Sequence, residues 1–190
     1  MSDDRELARL LADAAKAERP YAGFWPYEYD RQLTERDIAQ ELCNFLEIAG
    51  HVVSQERYET PDVVLSTSDR TVGIEVTELV CGEAIRANRA DSSGLRRVHA
   101  LWTVESVAAQ IKERIATKDR KVSKTSRPFD ALWLVISTDE PMITLEMAEK
   151  ACAMCQGDAQ HISRAYLVMS YRPGEARFPR GYPVYSIELV

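Results

Sequence analysis

Between Pro61 and Glu78 the chain reads PDVVLSTSDRTVGIEVTE, two β-branched runs joined by a polar turn, with acidic residues set inside otherwise apolar strands. Val72, Ile74 and Val76 alternate with Gly73, Glu75 and Thr77. The alternation of a strand therefore puts Glu75 and Thr77 side by side on one face. A carboxylate in so apolar a strand is costly to bury unless it is paired or coordinates a metal. Asp62 begins the neighbouring strand directly after Pro61, which fixes the backbone leading into it. If the two runs pair as a hairpin, both carboxylates converge on one cation, and any fold for this chain has to seat that acidic pair.

The arrangement resembles the PD-(D/E)xK nuclease superfamily, in which Pro-Asp begins one strand and acid-x-Lys lies on the next. Pro61-Asp62 and Glu75-Val76-Thr77 match that motif in order and spacing, with Thr77 where the family usually has Lys. The string GIEVTEL is similar to a variant found in uncharacterised bacterial members of the superfamily.

A length of 190 residues sets one domain and a sizeable core. No apolar run reaches the roughly 18 residues of a membrane span, so no membrane partner is expected. The opening MSDDRELARLL is acidic and lacks the apolar stretch of a secretory leader, which sets a cytoplasmic location as the expectation. A net charge of −6 argues against a general nucleic-acid coat, because phosphate affinity needs clustered Lys and Arg. Distribution matters more than the sum. From Gln110 to Arg127 seven basic residues (Lys112, Arg114, Lys118, Arg120, Lys121, Lys124, Arg127) stand against Glu113 and Asp119.

In chain order, residues Asp4 to Glu18 read as a helix with Leu7, Leu10, Leu11, Ala14 and Ala15 on one stripe. Arg19 to Arg31, with its prolines and aromatics, reads as a loop covering the domain or as a base-stacking or partner surface. Residues 1–33 are thus expected to form an N-terminal helix and aromatic loop packed on a nuclease-like α/β domain over 34–190. A second helix starts at Thr34, with Asp37 completing an acidic capping box, and closes at Gly50 as its C′ residue. Ile38, Leu42, Phe45, Leu46 and Ala49 form its apolar stripe; Glu35 and Glu41 are its acids. His51 to Glu59 reads as a strand leading to the Pro61 strand. Cys81 to Gly94 is polar and turn-rich, a mobile connection over the site. A helix then spans about Leu95 to Lys121. Ala131 to Thr138, ALWLVIST, reads as a strand buried on both faces. Ile143 to Cys155 reads as an amphipathic helix ended by Gly157, and Arg164 to Tyr171 and Tyr182 to Leu189 as two more strands, the last held toward an edge by Pro183. Cys152 and Cys155 form a lone CxxC on a helix, read as core residues, with a zinc or iron–sulfur site recruiting Cys43, Cys81 or His161 as the alternative.

In the long helix the apolar positions Val104, Val107, Ile111, Ile115 and Val122 leave a gap. At 3.6 residues per turn, Lys118 falls about 20° from Ile111, in the middle of the apolar stripe. An ammonium there either snorkels out or meets a carboxylate or phosphate. Lys121 lies at the edge of the same stripe.

The element order, together with the resemblance, implies an α/β fold with a restriction-endonuclease-like αβββαβ core over about Thr34 to Thr138: a mixed central sheet flanked by helices, plus an N-terminal helix and C-terminal strands. The family also implies metal-dependent hydrolysis of phosphodiester bonds in nucleic acid, with DNA as the expected substrate and a homodimer as the expected assembly. In that reading Asp62, Glu75 and the carbonyl of Val76 hold Mg²⁺ or Mn²⁺. Lys118, displaced from the usual strand position to the helix, supplies the cationic group, with Lys121 second. Glu78, one step out of phase with Glu75, faces the other side of the sheet unless the strand ends or bulges there and is a candidate site residue behind the ligands; Glu35 or Glu41 is the acid from the first helix. Two other readings follow from the same residues. One is a catalytically inactive member that keeps the fold to bind a nucleic acid or a protein, supported by Thr77. The other is an α/β binding protein whose acids are structural and satisfied by neighbours such as Arg70.

Overall fold

A computed structural model describes residues 28–49, 52–55, 61–90, 98–123, 129–172 and 174–189. The expected helix over 4–18 and the aromatic loop up to residue 27 lie outside the described residues. Helix α1 (Glu28–Phe45) begins earlier than Thr34, so residues 28–33 continue the helix that the core uses and Thr34 is not its cap. Ile38, Ala39, Leu42 and Cys43 form its buried face, whereas Phe45 is turned outward. Its C-terminal end also differs from expectation. Ile48 N–H donates to Cys43 O at 3.1 Å and Glu47 N–H to Asn44 O at 3.2 Å, while Glu47 takes a positive φ of 53°. This Schellman closure puts Glu47 at C′, three residues before Gly50.

Strands β1 (Val52–Gln55), β2 (Val63–Ser66) and β3 (Thr71–Glu78) form an antiparallel meander. The turn between β2 and β3 closes through Thr67 N–H to Arg70 O at 3.0 Å and Thr67 Oγ1 to Asp69 Oδ1 at 2.7 Å. Helix α2 (Gly82–Ala90) occupies the stretch expected to be an irregular connection. Its Ala84 is buried, and Asn88 ties α2 to Val98 by accepting from Val98 N–H at 2.8 Å and donating to Val98 O at 2.7 Å. Helix α3 (Val104–Val122) starts at a Thr103–Ser106 capping box rather than near Leu95. Strand β4 (Ala131–Thr138) keeps its expected bounds and runs parallel to β3, with Glu75 opposite Leu134.

Helix α4 (Leu145–Met154) is capped by Thr144, and Gly157, expected as its terminator, instead sits in the short strand β5 (Gln156–Gly157). Strand β6 (Arg164–Met169) is parallel to β4, and β7 (Val184–Leu189) is antiparallel to β6. Among the described residues the sheet has seven strands in the order β1-β2-β3-β4-β6-β7-β5. Its outermost full-length strand on that side is β7, as Pro183 led one to expect, with β5 pairing only at Glu188 and Leu189.

This is the expected α/β architecture: a mixed sheet between helices, with the order α, β, β, β, α, β present from α1 to β4 and α2 added before α3. Side-chain alternation divides the core into two layers. Val72, Ile74, Val76, Trp133 and Val135 pack against α1, and Leu134, Ile136, Leu167 and Met169 pack against α3 and α4. Ile111, Ile115 and Val122 seat α3 on the sheet, each of the isoleucines contributing about 1.5–3 kcal/mol by burial. That seating fixes how far Lys118 reaches. Among the described residues, no helix is long and apolar enough to cross a membrane.

Candidate functional site

Register explains why the acids meet. The last β2–β3 pair is Val63 opposite Ile74. Continuing it sets Asp62 across from Glu75 and Pro61 across from Val76. Asp62 and Glu75 thus oppose each other on the α3 side as like charges, an arrangement that needs a cation between them. Proline has no N–H to give, so the Val76 carbonyl receives no ladder bond from Pro61. The amide of Val76 donates to Asp62 Oδ2 at 2.8 Å, which holds that carboxylate at the strand end. Gly73 makes the approach possible, because a Cβ there would stand 2.9 Å from Pro61 Cγ and 2.6 Å from Leu132 Cδ2.

Into this wedge comes the side chain of Lys118. Its ammonium lies 2.6 Å from Glu75 Oε2 and 3.5 Å from Asp62 Oδ2, and donates to the Val76 carbonyl at 3.1 Å. Lys121 reaches Glu75 Oε2 at 3.4 Å from the solvent side, with 52% of its side chain exposed against 13% for Lys118. Glu75 itself is 1% exposed. Its second oxygen, Oε1, is buried and has no hydrogen-bond partner among the described residues, where a buried carboxylate oxygen ordinarily has one.

The donor set fits a hard divalent cation. Two carboxylates and one carbonyl supply oxygen ligands only, and Mg²⁺ is characteristically held by one or two carboxylates while keeping several waters. Glu75 Oε1 adds a buried acceptor with no hydrogen-bond partner among the described residues, on the same carboxylate whose Oε2 meets Lys118. The described residues contain no group of three or more His, Cys, Asp or Glu side chains that could hold a metal ion.

Other expected site residues lie elsewhere. Glu41 forms a forked ion pair with Arg180, at 2.9 Å to Nε and 3.0 Å to Nη2, because the loop before β7 brings that guanidinium over α1. Strand alternation sends Glu78 to the α1 side, and its carbonyl accepts from Arg114 Nε at 3.1 Å. Arg70 lies over the Trp133 ring at 5.8 Å, on the α1 side of the sheet. Lys124 and Arg127 lie outside the described residues. Cys152 and Cys155 are buried free thiols, and burial pushes Cys152 up to about 12.

Two buried acids escaped the sequence reading. Asp119 follows Lys118 on α3, and its carboxylate accepts from the backbone N–H groups of Gln160, His161 and Ile162 at 3.2, 2.8 and 2.9 Å. Burial alone would raise its pKa, but those bonds together with the charge of His161 hold it below the usual carboxylate value. Its position four residues after Ile115, on the apolar side of α3, was the available signal. Glu140, 1% exposed, accepts from Cys81 N–H at 2.7 Å and Trp102 Nε1 at 3.0 Å, fastening the connection after β3 to the end of β4. No local pattern announces it.

No protein-family model matches the chain, and no curated protein matches it. Among solved structures it is similar to Pyrococcus furiosus SfsA in complex with Ca²⁺, at 13% identity and a TM-score of 0.30. That likeness covers 83% of this chain and 62% of the other, so the chain spans under two thirds of the protein it is compared with.

Proposed function

We propose that the protein is a metal-dependent nuclease of the PD-(D/E)xK type that hydrolyses phosphodiester bonds in DNA, with Asp62, Glu75 and the Val76 carbonyl holding Mg²⁺ or Mn²⁺. The observation that carries this reading is the convergence of Lys118 from α3 on the two opposed carboxylates of β2 and β3, at 3.5 and 2.6 Å. Thr77 carries no charge, and Lys118 brings an ammonium from the facing helix to the same face of the sheet.

A bound divalent ion supplies a Lewis acid that acidifies a water and neutralises phosphate charge. The residues do the rest. Asp62 and Glu75 fix where the ion sits, and the hydrogen bond from Val76 N–H keeps Asp62 from turning away. Lys118 donates to a non-bridging phosphate oxygen and steadies the charge that develops on it. Lys121, exposed beside it, and Arg114 and Arg120 on the same helix hold the backbone phosphates without reading bases. Cutting both strands of a duplex calls for two such centres, which a homodimer provides.

A second reading has its own support: the Lys118 ammonium already satisfies the oxygens a metal needs, as in a catalytically inactive protein that binds nucleic acid or protein through the same face. Cleavage of supercoiled plasmid and single-stranded DNA with Mg²⁺ or Mn²⁺ separates the two. The nuclease reading expects cleavage that Asp62→Asn and Glu75→Gln each abolish while the melting temperature stays close to that of the unaltered protein. Absence of cleavage alongside retained DNA binding would establish the inactive module.

A further inference from the structure

The three oxygens offered to a metal are the three that surround the Lys118 ammonium: Glu75 Oε2 at 2.6 Å, Val76 O at 3.1 Å and Asp62 Oδ2 at 3.5 Å. A Mg²⁺ ion binds oxygen at about 2.1 Å, so an ion on these atoms would lie in the volume the ammonium fills. Two cations cannot share it. We propose that Lys118 is the resident counter-ion of the site and that a divalent ion binds only by displacing it, so that metal loading and release of the Lys118 side chain are one exchange. This rests on the metal-site reading above and adds the order of events to it.

Geometry favours exchange over exclusion. Lys118 is held at the end of a flexible stem from a helix whose position is fixed by Ile111, Ile115 and Val122, so the head can swing while α3 stays seated. Glu75 Oε1 is the buried acceptor left over when Oε2 is taken. Displacement thus leaves the ammonium within reach of a second carboxylate oxygen or of an incoming phosphate. The metal-free protein avoids two opposed carboxylates without a cation, and the metal-bound protein gains a loose ammonium where the substrate arrives. Lys121 is the control: of these three oxygens it meets Glu75 Oε2 alone, at 3.4 Å, and it is half in solvent. Its removal should change metal affinity far less.

The test is Mn²⁺ titration calorimetry on the full chain and its Lys118→Met, Lys121→Met and Asp62→Asn variants. It is paired with amine acylation of Lys118 in the unaltered protein, read by peptide mass spectrometry with and without Mn²⁺. Relief of charge repulsion in a poorly solvated site should make Mn²⁺ bind Lys118→Met at least about tenfold more tightly than the unaltered protein. Lys121→Met should shift affinity less, Asp62→Asn should lose binding, and Mn²⁺ should raise Lys118 acylation several-fold. Equal or weaker Mn²⁺ affinity in Lys118→Met, or acylation unmoved by Mn²⁺, overturns the exchange. The acylation arm decides if Lys118→Met does not fold. Plasmid cleavage by the unaltered protein with equal affinities would sink the exchange and leave the nuclease reading standing. Tightening without cleavage would do the reverse.

Discussion

Asp119 and Glu75 are buried acids that α3 and β3 bring to the same layer of the molecule, and they are completed in opposite ways. Three backbone N–H groups from the segment before β6 converge on Asp119, which therefore has its charge shared among donors that cannot leave. Glu75 has two side-chain ammonium groups on one oxygen and nothing on the other among the described residues. Backbone donors make a carboxylate part of the scaffold, whereas side-chain cations leave it open to exchange. Adjacent residues on one helix illustrate both outcomes, because Lys118 serves the open site and Asp119 the closed one.

Substituting Asp119 gives the largest expected effect and tests the closed half of this contrast. Asp119→Ala removes the acceptor of three amides just before β6, and each donor left buried and unsatisfied costs about 1–3 kcal/mol. With water reaching part of that segment, a loss of about 3 kcal/mol in urea unfolding is expected, with Mn²⁺ affinity close to the unaltered value. A loss of metal binding equal to that of Asp62→Asn would erase the distinction between the two acids.

Glu75→Gln should show the mirror image. Lys118 keeps Asp62 and the Val76 carbonyl, so unfolding stability should fall by only about 1 kcal/mol, while cleavage drops by about 100-fold or more. If stability falls as far as in Asp119→Ala, Glu75 belongs to the scaffold and the site reading fails with it.

Acid should sharpen the same comparison more gently. The folded pKa of Asp119 is lowered, so its contribution to stability is complete above the ordinary carboxylate value of about 4 and is lost as pH falls through the lower folded value. Asp119→Asn should flatten the acid limb of a stability–pH curve below about pH 4 and leave the neutral plateau's shape unchanged. An unaltered acid limb would mean that the three amides bind the neutral side chain equally well.

What could be read beforehand was the periodic part of the design. The alternation of Val72, Ile74 and Val76 against Gly73, Glu75 and Thr77 held because those three apolar side chains pack into the layer under α1, and a slip of one residue would bury the wrong set. Lys118 could be aimed because a helix stripe fixes direction to within a fraction of a turn. Partners distant in sequence could not be seen this way. Asp119 finds its donors more than forty residues on, and Glu140 reaches back 59 residues to Cys81, so neither leaves a local pattern. Helix α2 was hidden by its polar composition, with Ala84 as its fully buried anchor. The end of α1 was hidden because Glu47 adopts a conformation ordinarily given to glycine.

Glu41 provides the smallest expected effect and the external reference for both acids. It is an acid on a helix facing the sheet, the type of residue that a nuclease core could recruit, yet it spends its two oxygens on Arg180 across the surface. Exposed pairs of that kind contribute little because solvent screens both partners. Glu41→Gln should therefore leave cleavage, Mn²⁺ affinity and melting temperature essentially unmoved, as should Arg180→Gln. A clear loss of cleavage in Glu41→Gln but not in Arg180→Gln would show that the ion pair opens on substrate binding and that α1 adds a third carboxylate to the Asp62–Glu75 pair. The line between exchangeable and fixed acids would then have to be redrawn around three residues instead of two.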